Sequence, residues 1–289
     1  MREGVPEIID AVVNIHPPEA LAGRPDRRHF LTKLRVDPKL QDGFTLEEMI
    51  AEMDAAGVDH ALLIAAKVGS LGPPACYHVP YGLVADAVRK YPNRFSGLAG
   101  VDPTEGMEGV RQLERVVKEH GFIGAHSYPH WFELAPDHAR YYPFYAKCVE
   151  LDVPIQLQVG QSHIYDPRYP RRSVGRPITL DAVACDFPEL KLIGIHVGIP
   201  WADEMIAMAW KHPNVYIGAD AHSPKYWPPS FVQYLNSYGQ NKVLFGTDFP
   251  VLRFQRTIEE IEALGLKSNV LRKFFGENTR RLYRLADRS

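Results

Sequence analysis

Short, nearly unbroken apolar runs recur along the chain at 8–15, 60–66, 95–101, 122–128, 153–159, 192–197, 215–219 and 243–248. Runs without alternation of apolar and polar positions belong to strands covered on both faces, as in parallel sheets flanked by helices. Between them lie segments with helical periodicity. In "TLEEMIAEMDAAG" (45–57), Leu46, Met49, Ile50 and Met53 share one face, Thr45 stands as N-cap with Glu48 three residues on, and Gly57 is a stop signal. "PYGLVADAVRKYP", "GMEGVRQLERVVKEHG", "YYPFYAKCVELD", "ITLDAVACDFP", "WADEMIAMAWKHP" and "IEEIEALGL" repeat the theme, and a turn residue follows each.

Strands alternating with helices over a chain of 289 residues predict an α/β fold, a (β/α)8 TIM-type barrel occupying 1–289 as a single domain. An open, doubly wound sheet is the runner-up. Its dinucleotide-binding version is weakened because no Gly-x-Gly-x-x-Gly follows the first strand.

The barrel reading directs attention to the C-terminal ends of the strands, where this fold keeps its chemistry. Polar residues collect there: Asn14 and His16 after the first strand, His126, Tyr128 and His130 after the fourth, and Gln158, Gln161 and His163 after the fifth. His196 ends the sixth, Asp220 and His222 follow the seventh, and Asp248 ends the eighth. Polar groups on apolar strands cost free energy unless they are paired, so their convergence on one mouth predicts a site. Each also has a structural reading. His196 and His126 can be hydrogen-bonded core histidines, Asp248 before Pro250 can cap a turn, and His130, His163 and His222 can be peripheral loop residues. Loop aromatics (Tyr128, Trp131, Phe132, Tyr165, Trp227) suit a flat, ring-bearing substrate or simply pack a lid. Arg168, Arg171 or Arg172 could meet an anionic substrate from the loop after the fifth strand.

Charge and composition remove other classes. A formal net charge of −2, with 45% hydrophobic and 24% charged residues, gives no electrostatic case for nucleic acid or an anionic membrane. The three cysteines, Cys76, Cys148 and Cys185, have neither metal nor redox spacing. With no leader-like or membrane-spanning run, a cytoplasmic protein with a small-molecule substrate is expected.

Two long segments carry a family resemblance: "ELKLIGIHVGIPWADEMIAMAWKHPNVYIGAD" and "KVLFGTDFPV". They resemble the sixth-to-seventh-strand and eighth-strand regions of the amidohydrolase-related (amidohydrolase 2) family. That family includes aminocarboxymuconate-semialdehyde decarboxylase, resorcylate decarboxylases and pyrone-dicarboxylate hydrolase. "GVDHALLIA", "YPNRFSGLAGVDP" and "NVLRKFFGENTRRLYRL" follow its habits in order and spacing. The resemblance implies the same barrel and, since family members commonly self-associate, a homodimer or higher homo-oligomer.

Residue by residue, the family's sixth-strand His falls on His196 and its eighth-strand Asp on Asp248. Its fifth-strand His falls on Gln158, and the Asp-x-His-x-His pattern of its first strand becomes Asp10-x-Val12-x-Asn14. Val12 cannot ligate, and amides such as Asn14 and Gln158 are weak donors for Zn²⁺. The expectation is therefore a hydrolase of a small carbonyl-containing substrate (lactone, acyl or aromatic-derived) with no cofactor. In it Asp248 activates water, His196 and His126 act as acid or oxyanion partners, and Asn14, His16, Gln158, Tyr128 and His163 bind substrate. The alternative cofactor is one divalent metal, Zn²⁺ or Mn²⁺, held by His196 and Asp248 with His16 or His126. The alternative activities are non-oxidative decarboxylation of an aromatic or enoic acid and, further off, ligand binding without catalysis.

Overall fold

The computed structural model describes residues 6–21, 28–71, 76–163 and 170–286. Each predicted apolar run contains one strand: β1 (Ile9–Asn14), β2 (His60–Ala65), β3 (Phe95–Gly100), β4 (Gly124–Ser127), β5 (Ile155–Gln158), β6 (Leu192–Ile195), β7 (Val215–Ala219) and β8 (Val243–Phe245). Consecutive strands pair in parallel throughout. The ends of the series meet through a parallel bridge between Val13 and Phe249, where the Asn14 amide N–H donates to the Phe249 carbonyl at 2.9 Å. That contact closes a (β/α)8 barrel and excludes the open sheet.

The outer ring consists of α1 (Leu46–Ala56), α2 (Tyr81–Lys90), α3 (Gly106–His120), α4 (Tyr142–Glu150), α5 (Leu180–Asp186), α6 (Ala202–Lys211), α7 (Pro229–Leu235) and α8 (Phe254–Glu262). The first of them shows why these segments are helical. The Glu48 amide donates to Thr45 Oγ1 and the Thr45 amide donates to Glu48 Oε2, so two orphan N–H groups are satisfied reciprocally. Gly57 ends the helix in the left-handed region at φ 75°, and Met49 and Met53 are fully buried against the barrel. Helix α7 is not among the predicted segments; it starts at Pro229, where the missing N–H costs nothing.

Two interior polar groups tie the barrel together. The β1–β2 register shifts between Asp10 and Val13. Gln156 crosses the barrel, and its Nε2 donates to the Ala11 carbonyl and to the Tyr283 hydroxyl, both at 2.8 Å. Asp10 takes three donors: the Val12 amide (2.9 Å), the Thr247 amide (3.2 Å) and the Thr247 hydroxyl (2.6 Å). Its carboxylate therefore latches β1 to the segment that carries Asp248, although burial raises its pKa to about 7.

Candidate active site

The C-terminal mouth opens as a cavity floored by Asn14, Gln158, His196 and Asp248 and walled by Phe30, Tyr77, Tyr128 and Trp131. His16, Gln161, Ser162, His163 and His222 also line it. Every predicted substrate-binding position thus reaches the cavity. His126 does not: it is fully buried outside the lining, its ring against Tyr128 at a centroid distance of 4.2 Å. Burial lowers its pKa to about 3, so it stays a neutral imidazole. The structure therefore gives no support to His126 as an acid in contact with substrate. His130 is also buried; its Nδ1 accepts the Val174 amide at 3.0 Å and pins the loop after β5. Arg171 serves that loop as well, donating to the Trp131 carbonyl at 2.8 Å and packing on the Trp131 ring. Arg168 and Tyr165 lie outside the described residues.

The two amides at the altered family positions grip the two preserved residues. Asn14 Nδ2 donates to Asp248 Oδ1 at 2.7 Å and to the Phe249 carbonyl at 3.1 Å. The Tyr128 hydroxyl donates to Asn14 Oδ1 at 3.2 Å. Gln158 Nε2 meets His196 Nδ1 at 3.2 Å. Val12 is fully buried in the barrel, packed beside Gly246.

Backbone strain marks this floor. His196 (φ 69°), Val197 (φ 58°) and Gly198 (φ 78°) follow one another in the left-handed region, which a β-branched valine rarely enters. Ala221 (φ 61°) and Asp248 (φ 55°) share it. Such residues persist only where the surroundings over-determine them, and they gather at functional sites.

The sixth strand's turn is over-determined by Asp220, which was named among the strand-end polar residues but given no role. Its Oδ1 accepts the His196 amide at 2.8 Å, and its Oδ2 lies 3.2 Å from His196 Nε2. Asp248 Oδ2 approaches the same nitrogen at 3.9 Å. Burial, and then the neighbouring Asp248, drive the Asp220 carboxyl well above the usual carboxylate range, while the His196 N–H opposes them. Burial first, then the imidazoles of His222 and His126, hold His196 well below the usual histidine range.

One nitrogen of His196 and one oxygen each from Asp220 and Asp248 lie within 4.8 Å of one another. Among the described residues, His196 Nε2 and Asp220 Oδ2 are buried without a hydrogen-bond partner. Two carboxyl groups this close to a neutral imidazole relieve their repulsion either by holding a proton, as the raised Asp220 pKa reflects, or by holding a cation. One nitrogen with two carboxylate oxygens is a donor set that fits a divalent ion. For Nε2 to present its lone pair, Nδ1 must carry the proton. A Gln158 amide turned to place Oε1 on that N–H satisfies both groups. The third ligand offered is Asp220; neither His16 nor His126 belongs to the group.

Residues 24–285 match the sequence profile of the family described as Amidohydrolase. The chain belongs to that family. It is similar to gamma-resorcylate decarboxylase of Polaromonas sp. strain JS666, with 24% identity over 299 residues and 86% of each chain covered. Among solved structures it resembles an uncharacterized TIM-barrel protein from Bordetella bronchiseptica (TM-score 0.78, 24% identity, 96% of this chain and 98% of that one). It also resembles 5-carboxyvanillate decarboxylase from Novosphingobium aromaticivorans, crystallised with manganese and a nitrobenzoic acid (TM-score 0.74, 18% identity, 98% and 97% covered).

Two expectations are corrected by these findings. The hydrolytic one is overturned because the relatives matched over most of the chain are decarboxylases. The metal-free one is overturned by the His196–Asp220–Asp248 group and by the manganese in decarboxylase neighbours. Counting lost family ligands missed Asp220 because it was not matched to any family ligand position. Its location directly after an apolar strand, in "VYIGAD", was the available signal. Among the described residues no helix is long and apolar enough to cross a membrane.

Proposed function

We propose that this protein is a divalent-metal-dependent, non-oxidative decarboxylase of a small aromatic carboxylic acid. The observation that carries the reading is the imidazole–dicarboxylate cluster of His196, Asp220 and Asp248 beneath a cleft walled by aromatic rings. The similarity to decarboxylases over 86% of the chain supports it.

Decarboxylation breaks the bond between a ring carbon and its carboxylate. The electron pair stays on the ring, carbon dioxide leaves, and a proton takes the vacated position. His196, Asp220 and Asp248 would hold a divalent ion, which would supply positive charge to offset the substrate's anionic oxygens. Phe30, Tyr77, Tyr128 and Trp131 enclose the ring and exclude water from the reacting carbon. None of the described residues lining the cavity is Lys or Arg, so neutral groups, the N–H groups of His16, His163 and His222 together with the Gln161 amide and the Ser162 hydroxyl, are the protein's own donors to substrate oxygens. Of the two carboxyl groups in the cluster, Asp220 is sealed below and Asp248 lines the cavity. Asp248 is therefore the carboxylate placed to take a proton from the bound acid's hydroxyl or a water and pass it to the ring carbon.

The test is incubation of Mn²⁺-loaded protein with a panel of mono- and dihydroxybenzoic acids, following carbon dioxide and the matching phenol together. Equal release of both from at least one member is expected. Absence of release from the whole panel by metal-loaded protein overturns the reading.

A further inference from the structure

Asn14 occupies a position at which the family resemblance leads one to look for a metal ligand, yet its side chain is already committed. Both ends of its amide are fixed: Nδ2 donates to Asp248 Oδ1 at 2.7 Å, and Oδ1 accepts from the Tyr128 hydroxyl at 3.2 Å. The two contacts reinforce each other. With the amide reversed, its oxygen would face the carboxylate oxygen of Asp248, an acceptor against an acceptor, and the pairing would be repulsive. Tyr128 is itself held, because it is buried and packed edge-on against the fully buried His126.

We infer that Tyr128 and Asn14 form a clamp that holds Asp248 Oδ1 away from the metal position and presents only Oδ2 to it. Asn14 is a positioning residue, acting on the ion through Asp248. The geometry agrees, since Oδ2 is the Asp248 oxygen turned to His196 Nε2. The strained backbone at Asp248 (φ 55°) adds to the need for a holder, because the second Asn14 bond, to the Phe249 carbonyl at 3.1 Å, anchors the amide to the same turn. An amide is suited to the task where a histidine is not: it gives donors to the carboxylate and the main chain while taking one from the phenol. A carboxylate held at one oxygen loses little rotational freedom on meeting an ion, and partners of this kind change metal affinity by about 10–100-fold.

This inference rests on the metal reading but not on the identity of the substrate, and its test needs no turnover. Mn²⁺ is titrated calorimetrically into chelator-treated protein for the wild type, Asn14→Leu, Tyr128→Phe and the double variant, with thermal unfolding of each metal-free form as the control for folding. Asn14→Leu is expected to weaken Mn²⁺ binding at least about tenfold. Tyr128→Phe should weaken it less, and should add nothing in the Asn14→Leu background, since its effect passes through the missing amide. Asn14→Ser, which keeps a donor on a shorter arm, should recover part of the loss. Additive effects, unchanged affinity in Asn14→Leu, or no Mn²⁺ uptake by the wild type each overturn the clamp. If Asn14→Leu does not fold, Tyr128→Phe and Asn14→Ser still decide the matter: both must weaken binding. Carbon dioxide release with an additive cycle rejects the clamp and keeps the decarboxylase. Coupling without any release does the reverse.

Discussion

Asp220 grips His196 at both ends: one carboxylate oxygen accepts the His196 main-chain N–H at 2.8 Å, and the other lies 3.2 Å from the ring Nε2. The first contact holds a left-handed turn in place, and the second brings negative charge to the atom that would bind an ion. Asp220→Asn separates the two functions, because an amide oxygen can still accept the main-chain N–H. The variant is expected to fold with a melting temperature within a few degrees of the parent, and to bind Mn²⁺ at least about tenfold more weakly. Calorimetric titration beside thermal unfolding reads both. A parent-like affinity would remove Asp220 from the ligand set.

Metal should also report itself in stability. An ion that binds only the folded chain adds about 2.7 kcal/mol when present at a hundred times its dissociation constant. For a chain of this size that corresponds to a rise in melting temperature of several degrees, at roughly 2–4 °C per kcal/mol. Mn²⁺ added to chelator-treated protein is therefore expected to raise the melting temperature, and Asp220→Asn to cut the rise to about half or less at the same concentration, since a tenfold weaker site adds only about 1.4 kcal/mol. A flat response in the parent contradicts the site.

Asp248→Asn tests the proton donor. The amide has nearly the carboxylate's shape, so the Asn14 contact can persist through its oxygen, but it cannot take up and return a proton at neutral pH. Carbon dioxide release is expected to fall by at least about 10²-fold, the low end for losing a positioned acid. Single-turnover measurement on metal-saturated protein separates this from weakened metal binding. A rate within a few-fold of the parent would reassign the proton.

Much of this was legible in the residues, and the boundary of what was not is physical. The β strands are readable because burial on both faces requires unbroken apolar runs, and α1 because Thr45, Glu48 and Gly57 each satisfy a specific orphan group at a helix end. Helix α8 begins at Phe254 rather than at the expected 258, because Phe254 is buried by tertiary packing that no local pattern announces. At the site, Asn14 and Gln158 identify themselves as altered positions, but whether such an amide meets substrate or a neighbouring ligand depends on distances across the barrel. Asp220 is hidden for the same reason. Hydrolysis and decarboxylation are indistinguishable in residue types, since one carboxyl group can take a proton from water or give one to carbon. Only similarity to decarboxylases over 86% of the chain moved that choice.

Two buried titratable groups outside the proposed ligand set predict opposite pH responses, which makes them separable. His126 has its pKa lowered by burial to about 3, below an unfolded value near 6.5. Between those values the unfolded chain binds the proton and the fold does not, so this group's stabilisation is present above pH 6.5 and is lost as pH falls toward 3. Asp10 is raised by burial from 3.8 to about 7. Here the fold binds the proton and the unfolded chain does not, so its contribution is present below pH 3.8 and is lost as pH rises toward 7. His126→Leu removes the first response and Asp10→Asn the second. The asparagine oxygen can still accept the Val12 and Thr247 amides, which keeps the latch between β1 and the eighth-strand segment. Unfolding by urea from pH 4 to 7 is expected to show a shallower acid loss in His126→Leu than in the parent, with a slope changed by at most one proton, or about 1.4 kcal/mol per pH unit. Asp10→Asn should show a steeper gain in stability with rising pH than the parent. Changes of the same sign in both variants would mean that at least one of these groups titrates in the fold as it does in water.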